Sequence, residues 1–178
     1  MTPPQEQALE GWLDQGGKTV LLYSENLVYD LTGINRWAGP EQDTLLSQYV
    51  GAAGDDYDVP SDANGGTLAH SSYVVTGASG GPLANLTFHV AKDSPISSTA
   101  DVIKPKSGID TLATVSADPD GTSDRPVPIA TGNKAAGAKA SSTVVYVGLP
   151  VEDIVAVAGG ASGADFFAGV LAYAGIAH

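Results

Sequence analysis

The run Ser142-Thr143-Val144-Val145-Tyr146-Val147-Gly148-Leu149 constrains the fold more than any other segment. It is β-branched, apolar and uncharged, the character of a strand hidden in the middle of a sheet. A second such run, Lys18-Thr19-Val20-Leu21-Leu22-Tyr23, follows a glycine pair, Gly16-Gly17. Before that pair, Leu9, Trp12 and Leu13 fall at i, i+3 and i+4, which predicts a helix over Gln5–Gln15. Pro3 and Pro4 suit its first turn, and the glycines suit a left-handed C-cap. Helix, glycine pair and apolar strand in that order form the second half of a βαβ unit. Leu21 and Val145 are therefore expected side by side and parallel, at the centre of one sheet.

The remainder of the chain reads as short elements between polar turns. Asp43–Val50 carries a weak helical pattern through Leu45, Leu46 and Tyr49, with Gly51 as its stop. Ser72–Thr76 and Leu86–Val90 read as two strands separated by the Gly80-Gly81-Pro82 turn, and Thr111–Val115 as another. Pro126–Ala130 resembles an edge strand, because each proline removes a ladder donor. Ser162–Ala174, with Phe166, Phe167, Val170, Leu171 and Tyr173, reads as a closing helix ended by Gly175. Gly54–Gly66 and Ala117–Pro128 are acidic and turn-rich, the composition of exposed loops. No internal repeat is visible.

Length and charge narrow the function classes. A chain of 178 residues suits one domain with a real core. The net charge of −12 argues against nucleic-acid backbones and anionic membrane surfaces, which are bound by basic patches. No apolar run reaches membrane-spanning length, and no basic-then-apolar start reads as a signal peptide. The absence of cysteine removes disulfides, thiolate metal sites and a thiol nucleophile.

Four segments carry a resemblance: Leu13–Ser24, Leu46-Ser47-Gln48-Tyr49-Val50-Gly51, Val74–Leu83, and Val144–Ile154 with its Gly148-Leu149-Pro150-Val151-Glu152 exit. They resemble class I glutamine amidotransferase-like domains, and more narrowly the non-catalytic versions appended to secreted bacterial proteases and surface proteins. That resemblance implies an α/β, flavodoxin-like fold: a mostly parallel central sheet flanked by helices, with an antiparallel β excursion. It implies a single domain over 1–178, in a version lacking the β–α units that normally precede the Gly-Gly strand. An uncovered sheet edge would follow, open to a second copy of the chain.

The family's elbow carries a cysteine; here Tyr23-Ser24 stands in its place, so a thiolate mechanism is excluded. A serine mechanism through Ser24 needs a histidine base and an acid to orient it. The three histidines are His70, His89 and His178, and Glu152 is the carboxylate nearest the family's exit motif. No G-x-S-x-G surrounds Ser24, so a strand-end serine capping a turn is the favoured reading and no catalytic residue is assigned. The ends of the two apolar strands would gather Tyr23, Ser24, Glu25, Asn26, Pro150 and Glu152 into a crevice of the kind that binds ligands in open α/β sheets. Asp118, Asp120 and Asp124 flank Gly121 at spacings that suit a calcium loop, but the twelve-residue pattern with its closing Glu is absent. A solvated acidic turn is favoured, and no cofactor is expected, with calcium as the alternative.

The function expected from these readings is a non-catalytic, amidotransferase-like accessory or interaction domain of a modular, extracellular or cell-surface bacterial protein. Its partners would be other domains of a longer polypeptide or a separate protein, with no nucleic acid and no membrane insertion. The rivals are a small esterase-like serine hydrolase and a calcium-stabilised surface module.

Overall fold

Leu21 pairs with Val145. In the computed structural model, which describes residues 1–24, 27, 31, 43–53, 73–90, 103–116 and 126–176, strand β1 (Thr19–Tyr23) lies parallel to β6 (Ser142–Val147). The remaining strands are β2 (Tyr73–Gly77), β3 (Thr87–Val90), β4 (Asp110–Ser116), β5 (Pro126–Ala136) and the short β7 (Ile154–Val155). They form one seven-stranded sheet in the order β1-β6-β5-β4-β2-β3-β7.

The directions of these strands overturn the flavodoxin-like assignment. Every pairing between named strands other than β1–β6 is antiparallel. Among the described residues the fold is mostly β, a mixed and curled half-barrel with few helices, and not a parallel sheet flanked by helices with an antiparallel excursion. Parallel neighbours need long crossover connections, usually helical, whereas β2–β3 and β4–β5 join consecutive strands in antiparallel fashion. The curl has a local cause. Register shifts interrupt the β4–β5 ladder at Thr111–Thr114 and the β5–β6 ladder at Asn133–Ala136, and such bulges bend and twist a sheet. Buried Asn133 sits at the second shift, donating from Nδ2 to the Tyr49 carbonyl at 2.8 Å and accepting from the Ala135 N–H at 2.9 Å.

Two cores lie on opposite faces. Val145 and Val147 of β6 face one cluster with Phe88, Leu112, Ile129 and the final helix α2 (Gly163–Tyr173). Val144 and Tyr146 face the other, with Leu13 of helix α1 (Pro3–Leu13) and Leu45, Leu46 and Tyr49 of a π-helical turn, Leu45–Val50. Gly51 ends that turn with φ +87°, a left-handed conformation that glycine takes without penalty. Ser162 caps α2: its Oγ accepts from the Asp165 N–H at 3.2 Å, and Asp165 returns the bond to the Ser162 N–H at 2.8 Å.

Two further expectations are corrected. Among the described strands β1 is an outer one, with Leu21 and Tyr23 37% and 39% exposed, and it is not a central strand covered on both faces. β5 is interior and not an edge strand. Its prolines are tolerated because Pro126–Pro128 pairs with β4 alone, and the ladder to β6 begins only at Ala130.

Candidate functional site: the β1 edge and the Tyr173 hollow

The exits of β1 and β6 do converge. The Tyr23 hydroxyl donates to the Glu152 carboxylate and accepts from the Val151 N–H at 3.0 Å. Pro150 N-caps the 3-10 turn Val151–Asp153 that places those two groups, and the Ser24 N–H reaches the Val147 carbonyl at 3.1 Å. Tyr23, Ser24, Pro150 and Glu152 thus lie together. The Tyr23 ring also meets Phe167 of α2 edge-on, centroids 6.4 Å apart. Leu21 points to the same face as Tyr23, two residues along the strand. Leu21, Tyr23 and Phe167, each more than a third exposed, make an apolar strip along the outer strand. Beside it an open hollow of about 570 Å³ runs between α1 and β1, lined by Gln5, Leu9, Leu22 and Ser24 among others.

Ser24 and His89 are not brought together. His89 is on β3, opposite Val155 of β7, so five strand steps separate it from β1. Measured along the sheet that is roughly 24 Å, at about 4.8 Å per strand. Glu25, Asn26, His70, His178, Asp118, Asp120 and Asp124 lie outside the described residues. Among the described residues, no group of three or more His, Asp or Glu side chains is placed to hold a metal ion, and no helix is long and apolar enough to cross a membrane.

A second polar site was not anticipated from sequence. Tyr173, in the last turn of α2, donates its hydroxyl to Asp110 Oδ2 at 2.9 Å. The Lys134 ammonium stands over its ring, 4.3 Å from the centroid. Asp110 and Lys134 belong to neighbouring strands, and Tyr173 lies against the backbone between them, where Gly132 leaves room: a Cβ there would come within 2.2 Å of the ring. Burial, and then the bond to Asp110, hold the Tyr173 hydroxyl well above its ordinary pKa, so it stays a donor. These groups line a hollow of about 560 Å³ walled by the Ala78–Pro82 turn. Asp110, Lys134 and Tyr173 come from three separate segments, and no spacing links them.

A third polar group is structural. Asp14, at the end of α1, accepts from the Tyr49 hydroxyl at 2.9 Å and from the Ala138 N–H at 2.8 Å, with Lys139 3.8 Å away. The Ala138 bond and then the Tyr49 bond hold the Asp14 carboxyl below its ordinary range. Burial, and then Asp14, push Tyr49 up to about 12. The tyrosine anchors the π-helical turn to the helix.

No family model matches the chain, and no curated protein matches it. A β-galactosidase from Bacillus circulans sp. alkalophilus resembles it in structure, with a TM-score of 0.55 and 18% identity over 97% of this chain. The likeness is one of fold alone. The chain spans 20% of the length of that enzyme. The assignment to glutamine amidotransferase-like domains is therefore corrected on this ground as well as on strand direction. The scattered glycine–apolar motifs that carried it are the punctuation of many strand-and-turn folds. The extracellular placement rested on that assignment.

Proposed function

We propose that this chain is a non-catalytic interaction module, and that the outer strand β1 with its apolar strip is the surface it uses. The observation that carries this reading is the grouping of Leu21, Tyr23 and Phe167, all exposed, along a strand hydrogen-bonded on one side only among the described strands. Exposed apolar groups gathered at one place mark contact surfaces, and an outer strand can also accept a further strand. The Tyr23 bonds to Glu152 and Val151 pin the strip in place, so little order need be gained on binding. The charge of −12 makes two copies repel and favours a different protein, or another domain of a longer polypeptide, over a second copy. A fold of this kind forming one fifth of a longer enzyme chain supports a modular role.

A benzophenone amino acid in place of Leu21 tests the reading in cells, with the same residue in place of exposed Gln7 as the control. The expected result is one reproducible protein adduct from position 21, absent from position 7 and lost when Phe167→Lys is added. Equal labelling from both positions, or an adduct with a second copy alone, overturns it. Ser24 labelled by a fluorophosphonate would move the chain to the hydrolases instead.

A further inference from the structure

The geometry points to the Tyr173 hollow as a binding site for a neutral polyhydroxylated ligand of monosaccharide size. Its volume, about 560 Å³, lies within the common range for small-molecule sites, about 300–1,000 Å³. Its floor is fixed. Tyr173 is 8% exposed and fits against Gly132, and the wall turn is anchored through fully buried Leu83, which packs so closely on Gly169 of α2 that a Cβ there would meet it at 2.2 Å.

The charges decide the ligand class. Asp110 and Lys134 lie on one hollow but form no ion pair among the described residues; the tyrosine stands between them, bonded to one and covered by the other. Asp110 keeps one carboxylate oxygen for a further donor, and Lys134 keeps its ammonium hydrogens for acceptors. An anion would meet Lys134 but also Asp110 and the acidic charge of the whole molecule. A cation would meet Lys134. An apolar ligand would cover both charges and leave them unsatisfied. A zwitterion could meet both, yet it would surrender two strongly hydrated charges for exposed ion pairs, which return little in water. A polyol offers adjacent hydroxyls that donate to Asp110 and accept from Lys134, both charge-assisted, at a smaller desolvation cost. Its C–H face would rest on Pro82 and Ile109 of the rim.

Titration of the ¹⁵N-labelled chain with D-glucose, D-mannose and D-galactose, followed by amide shifts, tests this, with glycine and sodium acetate as charged probes. At least one sugar is expected to shift Gly80, Gly81, Asp110 and Lys134 with millimolar affinity, weakened about tenfold or more by Lys134→Ala and by Asp110→Asn. Both side chains are exposed, so both variants should keep a native spectrum. The assignment is overturned if no sugar shifts these amides, if the shifts fall elsewhere or survive both substitutions, or if glycine or acetate binds the same amides as tightly.

Discussion

The hydroxyl of Tyr49 rests 2.9 Å from the carboxylate of Asp14, and through that bond the π-helical turn and the first helix hold one another on the same face of the sheet. Tyr49→Phe keeps the ring and removes the donor. Losing a bond to a charged acceptor should cost about 1.5–3 kcal/mol, at the lower end here because Asp14 retains the Ala138 N–H. Thermal unfolding with near-native circular dichroism below the transition checks this, and an unchanged midpoint would show the bond to be idle.

The acidic face of α1 should make stability depend on pH in two opposed steps. Burial, and then Asp43, raise Glu6 and Glu10 above the ordinary value of 4.5. A raised carboxyl pKa means that the ionised form is disfavoured in the folded state. That penalty is complete near neutrality and is relieved as pH falls through the raised values toward 4.5. Asp14 and Asp165 are held below the ordinary 3.8, Asp14 first by the Ala138 N–H and Asp165 by Ser162. Their stabilisation is present above that value and is lost as pH falls through the lowered ones. Melting temperature should therefore rise from neutral to weakly acidic solution and then drop. Calorimetry across this range is the check: Glu10→Gln should flatten the rise, and Asp14→Asn the drop.

Gly132→Ala should be destabilising despite the small change in volume. The new methyl would press into the Tyr173 ring, and overpacking of this kind costs about 1–3 kcal/mol. Denaturant unfolding measures it. Adding Tyr173→Ala to that variant should recover less than the loss of the ring itself takes away, since Tyr173 belongs to the core.

Phe166 and Phe167 are neighbours in sequence with opposite fates. Phe166 is fully buried and packs edge-on against Phe88 at 5.2 Å, whereas Phe167 is 37% exposed beside Tyr23. Phe166→Ala should cost about 3–5 kcal/mol, and Phe167→Ala no more than about 1. Equal losses in chemical denaturation would contradict the assignment of Phe167 to a contact surface.

Much of the local architecture was legible in the residues. The stripe of Leu9, Trp12 and Leu13, the Gly51 stop, the strands on either side of Gly80-Gly81-Pro82, and the Ser162–Gly175 helix all stand close to where periodicity and turn residues put them. So does the parallel pairing of Leu21 with Val145. Extending that one pair to a parallel sheet failed because β-branched residues fit either direction, and direction is set by connections that side chains do not encode. β1 read as central because an apolar run looks the same on an outer strand that keeps Leu21 and Tyr23 exposed. Tyr23, Ser24, Pro150 and Glu152 were legible as a group because they follow two recognisable strands. Tyr173, Asp110 and Lys134 were not, since only the folded sheet brings them together.

The parallel pair also bears on how the chain reaches its native state. Lys18 and Ser142, at the start of that pairing, are 124 positions apart. Closing so long a loop forfeits chain entropy before any ladder bond repays it, whereas the β2–β3 hairpin closes locally. During synthesis β1 leaves the ribosome long before β6 exists, so Thr19–Tyr23 must wait, greasy and unfastened, until Ser142–Val147 has been made.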